Sequence, residues 1–123
     1  LHADPATDYP FYWGHADERG AGEGLGANLN LPLPQGTTLN GFRAAQTTAL
    51  NAIAAFAPDM LVVSFGADTW DGDPISHLKL ATADYAVLAA NIAARNWPTV
   101  ILMEGGYAVD ALGGNVAAFL SGF

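Results

Sequence analysis

The apolar positions of this chain follow two different regimes. Across residues 42–56 ("FRAAQTTALNAIAAF"), Leu50, Ile53 and Phe56 recur at helical spacing in an Ala-rich segment. Asn40 stands where a cap would sit, and Pro58 follows the end. Residues 60–65 ("MLVVSF") form an unbroken apolar run, as expected of a strand covered on both faces. Residues 83–96 return to a helical period, with Tyr85, Leu88 and Ile92 on one stripe. Thr82 is the candidate cap there, and Asp84 lies in the first turn near the positive end of the dipole. Residues 99–103 ("TVILM") read as a second buried strand, and 112–120, with Leu112, Val116, Phe119 and Leu120, as a last helix. Residues 1–40 behave otherwise. Pro5, Pro10, Pro32 and Pro34, with glycines at 14, 20, 22, 24 and 26, interrupt every period and leave only a short extended segment at 27–33.

Helix, strand, loop, helix, strand, loop and helix in that order predict parallel strands joined by helical crossovers. The expected fold is therefore α/β, an open, mostly parallel sheet with helices on both faces. No second domain boundary is visible. Residues 1–40 form a loop-rich region and 41–123 a helix–strand core. An irregular region of that length is unusual in a compact domain unless it serves function.

Composition narrows the function classes. The 123 residues are 51% hydrophobic and 13% charged, enough for one domain with a true core. So few charges imply that some faces are covered by protein outside this chain. A net charge of −8, from 12 acids against 4 bases, argues against non-specific nucleic-acid binding and suits a cationic substrate. The absence of cysteine excludes disulfides, thiolate metal sites and cysteine nucleophiles. No apolar stretch approaches the roughly 20 residues of a membrane span. The first residues lack the basic and apolar regions of a signal peptide, and cytoplasmic residence is the default expectation. The sequence opens on Leu1 without an initiator Met and reads as a fragment of a longer chain.

Ligands in open α/β sheets bind beyond the carboxyl ends of the strands, and two loops lie there. In "GADTWDGDP", Asp68 stands three residues past the strand, where its carboxylate is either a hard-oxygen metal ligand or a turn aspartate. Asp71 and Asp73 flank Gly72 before Pro74, as turn acids do. In "EGGYAVD", Gly105 and Gly106 let the backbone turn sharply before Tyr107. That phenol either donates to a developing oxyanion or packs its ring over a helix. "GEGLGA" (22–27) formally fits a dinucleotide-binding pattern, but no strand precedes it and Pro32 spoils the required helix. His2, His15 and His77 are scattered without zinc-motif spacing, and Ser64 lacks the elbow of a serine hydrolase.

"VVSFGADTWDGDPIS" followed by "VILMEGGYAVDALGGNV" resembles the C-terminal part of the zinc-dependent deacetylase superfamily, which contains the histone deacetylases and the acetylpolyamine amidohydrolases. The upstream "HADPATDYPFYWGHADERGAGEGLGANLNLPLPQGT" is similar to the same family and closer to its bacterial amidohydrolase branch; "EGGY" favours that branch and the class II-like deacetylases over the class I enzymes. The resemblance covers essentially the whole chain. It implies the arginase/deacetylase-like fold, with Asp68 as the third protein ligand of a catalytic zinc and Tyr107 as the catalytic tyrosine. It further implies substrate-binding roles for Ile75, lining the acyl channel, for Gly106, and for Tyr9, where the family usually has Phe. The carbonyl of Leu1 would join a structural potassium site. The metal would be zinc, or iron(II), and the full-length protein would act as a homodimer.

The implied activity is removal of acetyl groups from acetylated amines, with acetylpolyamines or similar small cationic amides first and acetyl-lysine in proteins second. A non-catalytic homologue serving as a binding module is the reading from another class, and an arginase-like dimanganese enzyme is a third. The family's Asp-x-His ligand pair and tandem histidines have no counterpart in these residues. The chain by itself is therefore expected to bind zinc poorly and to lack deacetylase activity.

Overall fold

In the computed structural model, which describes residues 1–123, the glycine- and proline-interrupted start of the chain forms little regular structure. Two short strands, His2–Ala3 (β1) and Pro32–Leu33 (β2), pair in parallel. The Asp4 N–H extends the pairing to the Leu33 carbonyl at 2.8 Å. Pro32 has no N–H to offer a ladder, which keeps this pairing at the margin of the fold. The extended segment expected at 27–33 is thus a strand only in its last two residues.

The first helix, Leu39–Phe56 (α1), begins after Thr38, not with Asn40 as its cap, and no side chain caps it. At its other end Ala57 is left-handed, and its N–H reaches the Ile53 and Ala54 carbonyls. Leu61–Phe65 (β3) follows, and a 3-10 turn at Ala67–Thr69 leads out of it. The second helix, Thr82–Ala93 (α2), takes Ala81 as its cap position. There the Asp84 carboxylate accepts the Ala81 N–H at 2.9 Å. Thr82, the expected cap, instead donates its hydroxyl to buried Asn115 at 2.7 Å. The helix stops short of Asn96, which is left-handed at φ 55° and so cannot continue a right-handed helix. Thr99–Met103 (β4) matches its expected span, and Val109–Leu120 (α3) begins one turn earlier than expected.

β3 and β4 pair in parallel, Leu61 with Thr99 through Phe65 with Met103, with α2 as the crossover. The parallel α/β arrangement expected from the element order is present. One face of this sheet is covered. Val63, Phe65 and Ile101 meet Tyr85, Leu88 and Ala89 of α2, Phe119 of α3, and Leu39 and Phe42 of α1. Phe65 stacks on Phe119 with centroids 4.0 Å apart and meets the Tyr85 ring edge-on at 5.5 Å. On the opposite face Val62, Val100 and Leu102 are exposed. The unbroken apolar run thus marks two apolar faces, of which the helices of this chain cover one. No helix is long and apolar enough to cross a membrane.

Candidate active site

The carboxyl ends of β3 and β4 are adjacent by register, so the two loops leaving them share one rim. After β3, Gly66 leads into the 3-10 turn that carries Asp68. Tyr85, 1% exposed, secures this turn from beneath. Its hydroxyl donates to the Ala67 carbonyl at 3.0 Å and meets the Thr69 hydroxyl at 2.9 Å. Burial, reinforced by the carboxylates of Asp68, Asp73 and Asp84 against the Thr69 hydrogen bond, pushes the Tyr85 phenol up to about 12.

The loop after β4 lies directly on the first. The Glu104 N–H donates to the Phe65 carbonyl at 2.8 Å, and the Ala67 N–H donates to the Gly105 carbonyl at 2.7 Å. Both glycines are required here. A Cβ on Gly105 would overlap the Asp68 carboxylate. Gly106 has φ +141°, and its Cβ would fall 2.8 Å from Leu112 Cδ1 and 3.1 Å from the Ala67 Cβ. The backbone two residues before Tyr107 therefore lies against the Asp68 carboxylate.

Asp68 lines a cavity of about 670 Å³ together with Tyr9, Ile75 and Leu1. Burial, then the neighbouring Asp73 carboxylate, raise its pKa, with its own backbone amide opposing. It enters no salt bridge. A half-buried carboxylate beside a second acid and away from any basic group is suited to receive a hard cation. The chain brings no three His, Asp or Glu side chains into a metal-holding group, so further ligands would have to come from outside these residues.

Among the other expected positions, Tyr9 is 75% exposed and Ile75 54% exposed on the cavity wall, and Leu1 lies on the same wall. Gly106 and Tyr107 do not line this cavity, and the Tyr107 side chain is half-exposed. Asp71 lies on the surface in an ion pair with Lys79. Asp73 is buried, and Ile75 N–H to its Oδ1, 3.0 Å, is the turn bond expected of it. Its other oxygen, Oδ2, accepts the Tyr107 N–H at 2.8 Å, a link that sequence reading missed.

A second cluster also went unseen. Buried Asp8 accepts from Gln35 Nε2 and Thr7 Oγ1, both at 2.9 Å, and meets His77 Nδ1. Burial alone would raise its pKa, but these hydrogen bonds from His77, Gln35 and Thr7 hold it below the usual value. The cluster ties the loop-rich start of the chain to the loop after β3. Its members are so far apart in sequence that no local pattern announces it.

The histone deacetylase domain matches residues 1–123, the whole chain. The chain belongs to the histone deacetylase family. Among curated relatives it is 46% identical over its full length to acetylpolyamine amidohydrolase 1 of Pseudomonas aeruginosa, and 44% identical over 99% of its length to the acetylpolyamine amidohydrolase of Mycoplana ramosa. It spans 36% of the length of each of these relatives. The crystal structure of an acetylpolyamine aminohydrolase from Burkholderia pseudomallei superposes with a TM-score of 0.95 at 44% identity, covering 99% of this chain and 36% of that one. A histone deacetylase homologue from Aquifex aeolicus superposes with a TM-score of 0.90 at 31% identity, over 99% of this chain and 34% of its own. The deacetylase-like fold expected of this family chain is thereby established.

Proposed function

We propose that the full-length protein is a zinc-dependent amidohydrolase that removes acetyl groups from acetylpolyamines or similar small cationic amides. The observation that carries this reading is the interlock of the two loops, in which Gly105 lies against the Asp68 carboxylate two residues before Tyr107. In support, the loop that carries Asp68 lies beside the loop that carries Tyr107, in a chain 44–46% identical to named acetylpolyamine amidohydrolases.

Asp68 would supply one carboxylate ligand to the metal, zinc or iron(II). When bound, the metal would supply Lewis-acid polarisation of the acetamide carbonyl and a water acidic enough to ionise near neutral pH. The Tyr107 hydroxyl would donate to the acetamide oxygen as negative charge develops on it. Tyr9 and Ile75 would flank the aliphatic stem on the cavity wall, and Gly106 would keep the approach beside Tyr107 open. The net charge of −8 favours the approach of a cationic amine. The Leu1 carbonyl as part of a structural potassium site, a cytoplasmic location and a homodimer belong to the same proposal, without nucleic-acid or membrane partners.

The test is turnover of acetylputrescine and of an acetyl-lysine peptide by the metal-loaded full-length protein. Faster turnover of acetylputrescine is expected. Much faster turnover of the peptide would reassign the enzyme to protein deacetylation, and turnover of neither would leave a non-catalytic binding module.

A further inference from the structure

The Asp73 carboxylate uses its two oxygens differently. Oδ1 closes a local turn by accepting the Ile75 N–H at 3.0 Å. An Asn or Ser side chain could make that bond as well. Oδ2 accepts the Tyr107 N–H at 2.8 Å, across 34 residues of sequence. A carboxylate, with two acceptor oxygens and no donor, satisfies the two amides with one oxygen each. Asp73 is 7% exposed, and neither of the chain's salt bridges involves it. A carboxylate this deeply buried is ordinarily expelled or paired with a cation, and here the two backbone N–H groups take the cation's place.

The partners of those amides give the arrangement its meaning. Ile75 lies on the wall of the cavity that holds Asp68, and Tyr107 follows Gly105, whose backbone lies against the Asp68 carboxylate. Gly105 and Gly106 make the segment before Tyr107 sterically permissive, so its position has to be imposed from outside. We propose that Asp73 is a positioning residue: its carboxylate holds the backbone at Tyr107 in fixed relation to the channel wall at Ile75. The inference rests on the catalytic reading of Tyr107 for its effect on rate, though not for the physical link itself.

The experiment substitutes Asp73→Asn in the full-length protein, which keeps the size of the side chain and turns one acceptor into a donor. Two readouts are taken. In hydrogen exchange, the Tyr107 amide is expected to exchange at least about tenfold faster in the variant, while amides of α2 and α3 keep their rates. In kinetics on acetylputrescine, kcat is expected to fall about 10- to 100-fold at unchanged metal content. In a Tyr107→Phe background the same substitution is expected to cost less than about twofold, because the effect runs through the phenol. Unchanged exchange at Tyr107 overturns the proposal, as does an equal loss of rate in both backgrounds. Should Tyr107→Phe prove as active as the parent, the catalytic reading fails, and the exchange experiment alone decides whether Asp73 fixes this loop. Asp73→Ser, which also removes the second acceptor oxygen, gives the same reading if Asn is not tolerated in the fold.

Discussion

The two loops at the sheet's rim are built on opposite plans. The loop after β3 carries much of its own bracing. The Asp71 N–H donates to the Leu80 carbonyl at 2.9 Å, the Asp73 N–H to the Trp70 carbonyl at 3.0 Å, and Tyr85 secures the turn from below. The loop after β4 is short, contains two glycines, and makes its bonds outward to Phe65, Ala67 and Asp73. One loop is a scaffold, and the other takes its shape from it. A carboxylate proposed to hold a metal would gain from the first plan, because metal sites need rigid ligands. The backbone at Tyr107 belongs to the second plan, its N–H held by Asp73 of the β3 loop.

If that division of labour is right, substitutions in the two loops should fail differently. The largest effect is expected from Tyr107→Phe in the full-length protein, with a loss of about 100- to 1,000-fold in kcat on acetylputrescine. Its thermal midpoint should barely move, since the side chain is half-exposed and none of the chain's hydrogen bonds uses its hydroxyl. Steady-state kinetics and a melting curve together check it. Next comes Gly106→Ala. A side chain at φ +141° that also runs into Leu112 and Ala67 should cost about 1–3 kcal/mol, read by urea denaturation, together with loss of activity. A variant as stable as the parent would show that the β4 loop is free to move away from its neighbour.

Tyr85→Phe tests the scaffold itself. Removing the hydroxyl leaves the Ala67 carbonyl and the Thr69 hydroxyl without this partner, at an expected cost of about 1–2 kcal/mol. The parent's pH dependence carries the same information. The Tyr85 phenol is raised to about 12 in the fold, so folding favours its protonated form. Its contribution, about 3 kcal/mol at most, is complete below the unfolded value near 10 and is lost as pH rises from there through about 12. Stability measured across that window should fall less steeply in the Phe variant.

What the sequence made legible follows from how local each signal is. β4 keeps the span its apolar run predicts and β3 loses only Met60, because a short apolar run with several β-branched residues has few other uses. The start of α3 at Val109 was hidden because no side chain caps it, Ala108 standing at the cap position. The pairing of β1 with β2 was hidden because two residues carry no period and one of them is Pro32. Asp68 and Tyr107 were singled out through motifs, and the structure brings their loops together. The other half of Asp73's role was not legible, since a turn aspartate and a long-range acceptor look alike until the partner loop is in place. The Asp8 cluster with Gln35 and His77 was missed for the same reason.

The claim on which the rest depends is that Asp68 and Tyr107 serve one bound metal. The most direct measurement is anomalous scattering at the zinc edge from crystals of the full-length protein. A peak about 2.0–2.2 Å from an Asp68 carboxylate oxygen, with the Tyr107 hydroxyl turned toward the same ion, is the expected result. A zinc bound elsewhere, or an Asp68 carboxylate remote from the ion in fully loaded crystals, would contradict it.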